Sequence, residues 1–174
     1  MPRLNLELKA RDPDSARSLG VCRELGAADE GTLTQRDTYF KVPRGRLKLR
    51  EEPGAGAHLI AYERPDLPGH KVSRYRVIPI GDPAELKPAF ETVLGIRVTV
   101  SKVRRLFLFE GVRIHLDRVD GLGSFVELEG VAAGDDDLAR FERLLAELRQ
   151  AFEIKDGNLV GAGYSDLLEA RSGA

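Results

Sequence analysis

Four stretches of the chain alternate apolar residues with charged or amide ones. Residues 4–9 read Leu-Asn-Leu-Glu-Leu-Lys, and residues 46–50 read Arg-Leu-Lys-Leu-Arg. Residues 113–117 read Arg-Ile-His-Leu-Asp, and residues 125–129 read Phe-Val-Glu-Leu-Glu. Successive side chains on a strand point to opposite faces, so each stretch carries one oily face and one ionic face. Further strands are predicted over 35–40, 59–64, 71–80 and 98–109, about eight in all, with Pro- and Gly-marked turns between them. The hairpin 112–118 to 124–130 turns at 119–123.

Helices are predicted in the gaps. The first has Asp12 as N-cap, Pro13 at its first position and Gly26 as its stop. The second opens at Asp82-Pro83 and closes at Gly95. The third starts in the run Asp135-Asp136-Asp137, which suits the positive end of a helix dipole. Its apolar residues Leu138, Phe141, Leu144, Leu145, Leu148 and Phe152 recur at spacings of three and four. A short last helix begins at Ser165.

These elements make an α+β fold with antiparallel strands. Two arrangements satisfy the alternation. An open two-layer sheet leaves its charged face in water. A closed barrel turns its oily faces outward under the helices and its ionic faces toward its axis, and it has no sheet edges. In the barrel, strand parity points Asn5, Glu7 and Lys9 inward, with Arg46, Lys48 and Arg50 on the next strand. Arg64, Arg74, Arg76, Lys102, Arg104, Arg113, His115, Asp117, Glu127 and Glu129 follow.

Composition narrows the partners. With 174 residues the chain is one domain, and its net charge of -1 gives no electrostatic case for nucleic acid or an anionic membrane. The basic residues nevertheless concentrate on the predicted strands, and the acidic ones are more frequent in the helices. Cys22 is the only cysteine, so it has no disulfide partner within the chain and reads as a small buried residue. No apolar run approaches the ~20 residues of a membrane span, and the N-terminus lacks the apolar core of a signal peptide. The expected location is the cytoplasm.

Among the inward set the basic members outnumber the acidic ones, so an anionic ligand is expected. Arginine forks match phosphate oxygens in pairs. Glu7, Asp117, Glu127 and Glu129 are hard oxygen donors that suit Mg²⁺ or Mn²⁺ beside a phosphate chain. No Walker-type glycine loop occurs. His115 reads either as a satisfied structural histidine or as a proton donor or phosphate contact. Tyr39, Tyr62 and Tyr75 read as packing residues or as stacking platforms.

At these residues the sequence resembles a known family. The segments "NLELKAR", "QRDTYFKVPRGRLKLRE", "YERPD", "KVSRYR", "SKVRRLF", "RIHLDRVDGLGSFVELEG" and "GYSDLL" are similar, in order, to the CYTH family of triphosphate tunnel metalloenzymes. That family includes class IV adenylyl cyclases and thiamine triphosphatases. The wording is most similar to the cyclase branch. The resemblance implies a single domain over residues 1–174 and an eight-stranded antiparallel closed barrel with flanking helices. It implies a triphosphate bound in the tunnel with Mg²⁺ or Mn²⁺. The family signature of two glutamates and a lysine on the first strand maps to Asn5, Glu7 and Lys9, so an amide replaces the first glutamate.

By the same resemblance, Lys9, Arg50, Arg74, Lys102, Arg104 and Arg113 hold phosphate oxygens, with Arg46, Lys48, Lys71 and Arg76 as further candidates. Glu7, Asp117, Glu127 and Glu129 bind metal. Glu7, Lys9, Lys102, Arg104 and Asp117 are the expected catalytic residues. The expected reaction is class IV adenylyl cyclase-like, from ATP to cyclic AMP and pyrophosphate. The alternative is a triphosphatase acting on tripolyphosphate or an organic triphosphate such as thiamine triphosphate, and a third reading is a non-catalytic nucleotide or polyphosphate binder. A monomer and a homodimer both remain open, and the loop 65–69 is a candidate lid.

Overall fold

Eight antiparallel strands pair edge to edge until the last meets the first. A computed structural model provides the coordinates, and it describes residues 3–63, 69, 71–133 and 135–173. The strands are β1 (Arg3–Arg11), β2 (Ala28–Phe40), β3 (Arg46–Glu52), β4 (Gly56–Glu63), β5 (Lys71–Ile80), β6 (Ile96–Phe109), β7 (Val112–Val119) and β8 (Gly123–Ala132). Around the barrel they run β1-β5-β4-β3-β2-β6-β7-β8. Two meanders, β2 to β5 and β6 to β8, join along the β2–β6 pair, and β1 seals the gap between β5 and β8. Closure removes every exposed edge. The open-sheet reading is thereby excluded.

Four helices flank the barrel: α1 (Ser15–Glu24), α2 (Pro83–Leu94), α3 (Asp135–Ala151) and α4 (Tyr164–Ser172). The apolar stripe of α3, from Phe141 to Phe152, packs with Val21 and Cys22 of α1 onto the outward residues Leu6, Leu8, Ile114, Val126 and Leu128. Leu86, Phe90 and Leu94 of α2 cover Phe40, Leu49 and Ala57. α4 behaves differently. Its Tyr164, Leu167 and Leu168 cluster with Tyr39, Val98, Val100, Val119 and Phe125. Those strand residues share the inward parity, so α4 closes one rim of the barrel.

Element types follow the sequence reading, with local corrections. The N-cap of α1 is Asp14, whose side chain accepts from the Arg17 amide at 3.0 Å. Asp12 instead accepts from the Ser18 hydroxyl at 2.8 Å, bracing the cap from outside. β2 starts seven residues earlier than the apolar pattern indicates, since it begins at Ala28 rather than 35. Its polar first half is held as strand by pairing with β6, through an irregularity at Gly31, whose φ is 96°.

β5 corrects the parity argument. Among the described residues no helical stripe covers its outer face between Val72 and Ile78, which are 41% and 49% exposed. The wet face of this strand is therefore its outer one, and Arg74 and Arg76 lie there, exposed. The residues that β5 turns inward are Ser73, Tyr75 and Val77. Arg64, the 65–68 part of the candidate lid and the Lys71 side chain lie outside the described residues.

The seat of α3 on β8 is tight. A Cβ added at Gly130 would stand 2.5 Å from Cγ of the buried Phe141. Gly130→Ala is therefore expected to cost about 1–3 kcal/mol by overpacking, read as a lower midpoint in urea unfolding. An unchanged midpoint would show that α3 does not sit against this strand.

Candidate active site

The barrel encloses a cavity of about 400 Å³, and every strand contributes to its lining. Two buried aspartates organise its cations. Asp37 of β2 is 2% exposed and stands next to β3 in the sheet. Lys48 donates to its Oδ2 at 2.7 Å, while Arg50 donates through Nε and Nη2 at 2.8 Å each. Burial alone would push the Asp37 carboxyl up, but Lys48 and Arg50 outweigh it and hold it well below the usual carboxylate range.

Asp117 of β7 repeats the arrangement two strands away, with β6 between. It accepts from Arg104 Nε at 2.7 Å, from Arg104 Nη2 at 2.6 Å and from the Tyr164 hydroxyl at 2.9 Å. Lys102 Nζ lies 3.7 Å away. Burial again opposes the charge, and Arg104 and Lys102 overcome it, so Asp117 is also held low. Lys102 itself is strained. Burial, with the Arg104 charge beside it, pushes its ammonium down to about 7 against the pull of Asp117.

A carboxylate wall faces these cations. Glu127 of β8 lies 3.4 Å from Lys9 and 3.6 Å from Arg104. Burial raises its carboxyl, and Lys9, His115 and Arg104 together bring it well below its ordinary value. His115 sits between two carboxylates, with Nδ1 3.7 Å from Glu127 and Nε2 3.6 Å from Glu129. Asn5 Nδ2 donates to Glu129 Oε1 at 2.6 Å, and Arg113 approaches Glu129 Oε2 at 3.4 Å. Glu7 pairs directly with Glu129 across the β1–β8 ladder.

This donor set fits a hard divalent cation. Glu7, Glu127 and Glu129 supply carboxylate oxygens, and the buried Asn5 Oδ1 has no hydrogen-bond partner. Among the described residues no three His, Cys, Asp or Glu side chains form a ready-made metal cage. Mg²⁺ suits such a half-built site, because it keeps several waters and takes phosphate oxygens as ligands.

The cavity thus gathers Glu7, Lys9, Lys48, Arg50, Lys102, Arg104, Arg113, His115, Glu127 and Glu129. Three expected contributors stand elsewhere. Arg74 and Arg76 are on the outer face. Arg46 has inward parity but lies at the rim closed by α4, where it meets Asp166 at 3.0 Å. Asp117 points inward, yet both its oxygens are taken by Arg104 and Tyr164, which leaves it a counter-ion rather than an open ligand. The sequence reading missed Asp37, although it lies at the same parity as Gln35 and Tyr39 on a predicted strand. Tyr164 lies in the segment "GYSDLL" that carries the resemblance, but its place in the site was not readable, since only the folding of α4 under the barrel brings it to Asp117.

The depressed carboxyls set a pH window. Asp37, Asp117 and Glu127 sit below their unfolded values of about 3.9–4.3. Their contribution to stability is full above those values and is lost as pH falls below them. Acid unfolding followed by circular dichroism should begin near pH 4. Asp37→Asn should lower stability at pH 7 by about 3–5 kcal/mol in urea, since Lys48 and Arg50 lose their counter-charge. A loss under 1 kcal/mol, on the order of a surface pair, would contradict the buried geometry.

The comparisons with known proteins agree with this architecture. The CYTH domain matches residues 3–164. A Methanocaldococcus jannaschii protein named "Putative adenylate cyclase MJ0240" is 24% identical over 94% of this chain and 98% of its own length. The PH1012 protein of Pyrococcus horikoshii has a similar structure, with a TM-score of 0.79 at 19% identity over 94% of this chain and 98% of its own. An adenylyl cyclase candidate from Hippeastrum, described as having a dominant triphosphatase activity, superposes with a TM-score of 0.64 at 20% identity, covering 98% of this chain and 96% of its own. No helix among the described residues is long and apolar enough to cross a membrane. By its sequence along nearly the whole length, the chain belongs to the CYTH domain family.

Proposed function

We propose that the chain is a divalent-metal-dependent enzyme acting on a triphosphate held in the barrel, and that its reaction is class IV adenylyl cyclase-like. The observation that carries the triphosphate reading is the set Lys48, Arg50, Lys102 and Arg104, oriented by two buried aspartates and facing a wall of glutamates. Their donors hold phosphate oxygens, and the arginine forks fix the chain by paired contacts. Lys9 adds a further ammonium on β1. Asp37 and Asp117 act as positioning residues that keep the cations aimed when no ligand is present. Glu7, Glu127 and Glu129, with Asn5 Oδ1, would hold the Mg²⁺ or Mn²⁺. A bound metal neutralises charge on the phosphates and favours attack at phosphorus.

In the cyclase reaction the 3′-hydroxyl oxygen of ATP would attack the α-phosphorus and lose its proton to water, while the bond from the α-phosphorus to the bridging oxygen breaks and pyrophosphate leaves. One of Glu7 and Glu129, in place of holding the metal, would orient that hydroxyl. The name borne by the archaeal relative supports this reading. Hydrolysis of the terminal phosphate is the second reading, favoured by the triphosphatase activity described for the Hippeastrum protein. A product assay separates them. Incubation with ATP, tripolyphosphate or thiamine triphosphate, each with Mg²⁺ or Mn²⁺, should give cyclic AMP from ATP. Free phosphate as the main product selects the hydrolase, and no product from any of the three removes the enzymatic reading. Glu129→Gln should lower turnover by about 100-fold with an unchanged melting temperature, and a variant at full rate would remove Glu129 from the site.

Lys102 supplies an independent test. Burial and the Arg104 charge push its ammonium down to about 7, so above that pH it is largely neutral. A phosphate beside it favours the charged form and raises its value again. Tripolyphosphate binding at pH 8 should therefore take up a proton, read as a calorimetric heat that varies with buffer ionisation enthalpy. The uptake should vanish in Lys102→Met, and wild-type binding with no buffer dependence would place the phosphates away from Lys102.

A further inference from the structure

We propose that the outer face of β4 and β5 is a docking surface for an acidic peptide segment of a partner protein. This face lies on the opposite side of the barrel wall from the cavity. α3 covers the outer residues of β1 and β8, and α2 covers those of β2 and β3. Between these covers Val72, Arg74, Arg76 and Ile78 of β5 point outward, and all four are exposed. Arg74 and Arg76 have no hydrogen-bond or ion-pair partner among the described residues, and neither has the exposed Arg44 of the β2–β3 turn. All three arginines border one groove of about 250 Å³. Arg76 stands opposite Ala61 and Arg74 opposite Glu63 on β4, so a methyl group, rather than a long side chain, lies beside Arg76.

The charge of this groove is unbalanced. Inside the barrel each pair of cations shares a buried aspartate, whereas Glu63 is the only carboxylate among the described residues of the groove. Arg46 beside it is already held by Asp166. Arg44, Arg74 and Arg76 therefore keep their forks for carboxylates of another molecule.

Apolar flanks decide which anion fits. Residues on a strand rise about 3.3 Å each, so Val72, Arg74, Arg76 and Ile78 form a row of about 20 Å with an apolar side chain at each end. A segment that sets two carboxylates between apolar residues matches that row at every position. A nucleic acid does not. Its phosphates gain nothing from Val72 and Ile78, Glu63 repels them, and a net charge of -1 provides no attracting field. A second copy does not either, since a two-fold contact centred on this face sets arginines against arginines. Both edges of β5 are taken by β1 and β4. The segment is therefore held by side chains rather than as an added strand, and its binding is sensitive to salt.

Fluorescence anisotropy with a labelled peptide, Leu-Ser-Glu-Ser-Glu-Ser-Leu, tests the surface. The peptide should bind, and rising salt should weaken it. Arg74→Glu combined with Arg76→Glu should weaken it about tenfold, and Arg44→Glu several-fold, while circular dichroism shows an intact fold. Replacing the peptide's leucines with serine should also weaken binding several-fold. No binding to the wild type, or unchanged affinity in both arginine variants, would overturn the docking surface. An oligothymidine that binds more tightly than the peptide, and is lost in the same variants, would overturn it in favour of nucleic acid. Sedimentation showing a dimer that the double variant dissociates would overturn it in favour of a second copy. If the double variant does not fold, Arg44→Glu, on a turn, decides alone.

Discussion

Cations are crowded inside this barrel, and the two aspartates that hold them make the arrangement possible. Lys48 and Arg50 share Asp37, while Lys102 and Arg104 share Asp117. Removing a charge from water costs several kcal/mol unless partners and hydrogen bonds compensate. Each aspartate therefore does two things. It offsets the burial of its neighbours, and it fixes the orientation of their donors. The compensation is incomplete at Lys102, whose ammonium is pushed down by burial and by Arg104. A polyanion in the cavity would relieve that shortfall.

The barrel wall separates two chemistries that one strand has to serve at once. Outward residues such as Leu6, Leu8 and Leu128 are sealed by α3, and Leu49 by α2. Inward residues on the same strands carry the ions. Because side chains alternate, a one-residue slip would exchange the two sets. The heavy outer packing is thus also what holds the ionic register. α4 adds the remaining constraint, for it fills one rim with Tyr164, Leu167 and Leu168 and anchors its far side through Asp166 and Glu169 on Arg97.

Much of this was legible in the order of residues. The alternation in β1, β3, β7 and β8 announced two-faced strands, and the three-and-four spacing of α3 announced their cover. The parity argument failed where its premise failed. It assumed that the ionic face looks inward, which holds only where a helix claims the other face. β5 lacks that cover, so its arginines are outside and its tyrosine is inside. Asn5 shows the opposite case, since its place beside Glu7 and Lys9 was readable but its bond to Glu129 was not.

The local sequence by itself determined which residues share a face, because the period of a strand or helix is a property of the backbone. It also determined the chemical stock of the site: many cations, several carboxylates, two histidines and no thiol cluster. Only the tertiary structure decided which face became the interior and which charges became partners. Asp37 with Arg50, and Asp117 with Tyr164 from a helix 47 residues later, meet because the sheet closes and α4 folds beneath it. Those pairings depend on what each surface packs against, and that is set by contacts far apart in the chain.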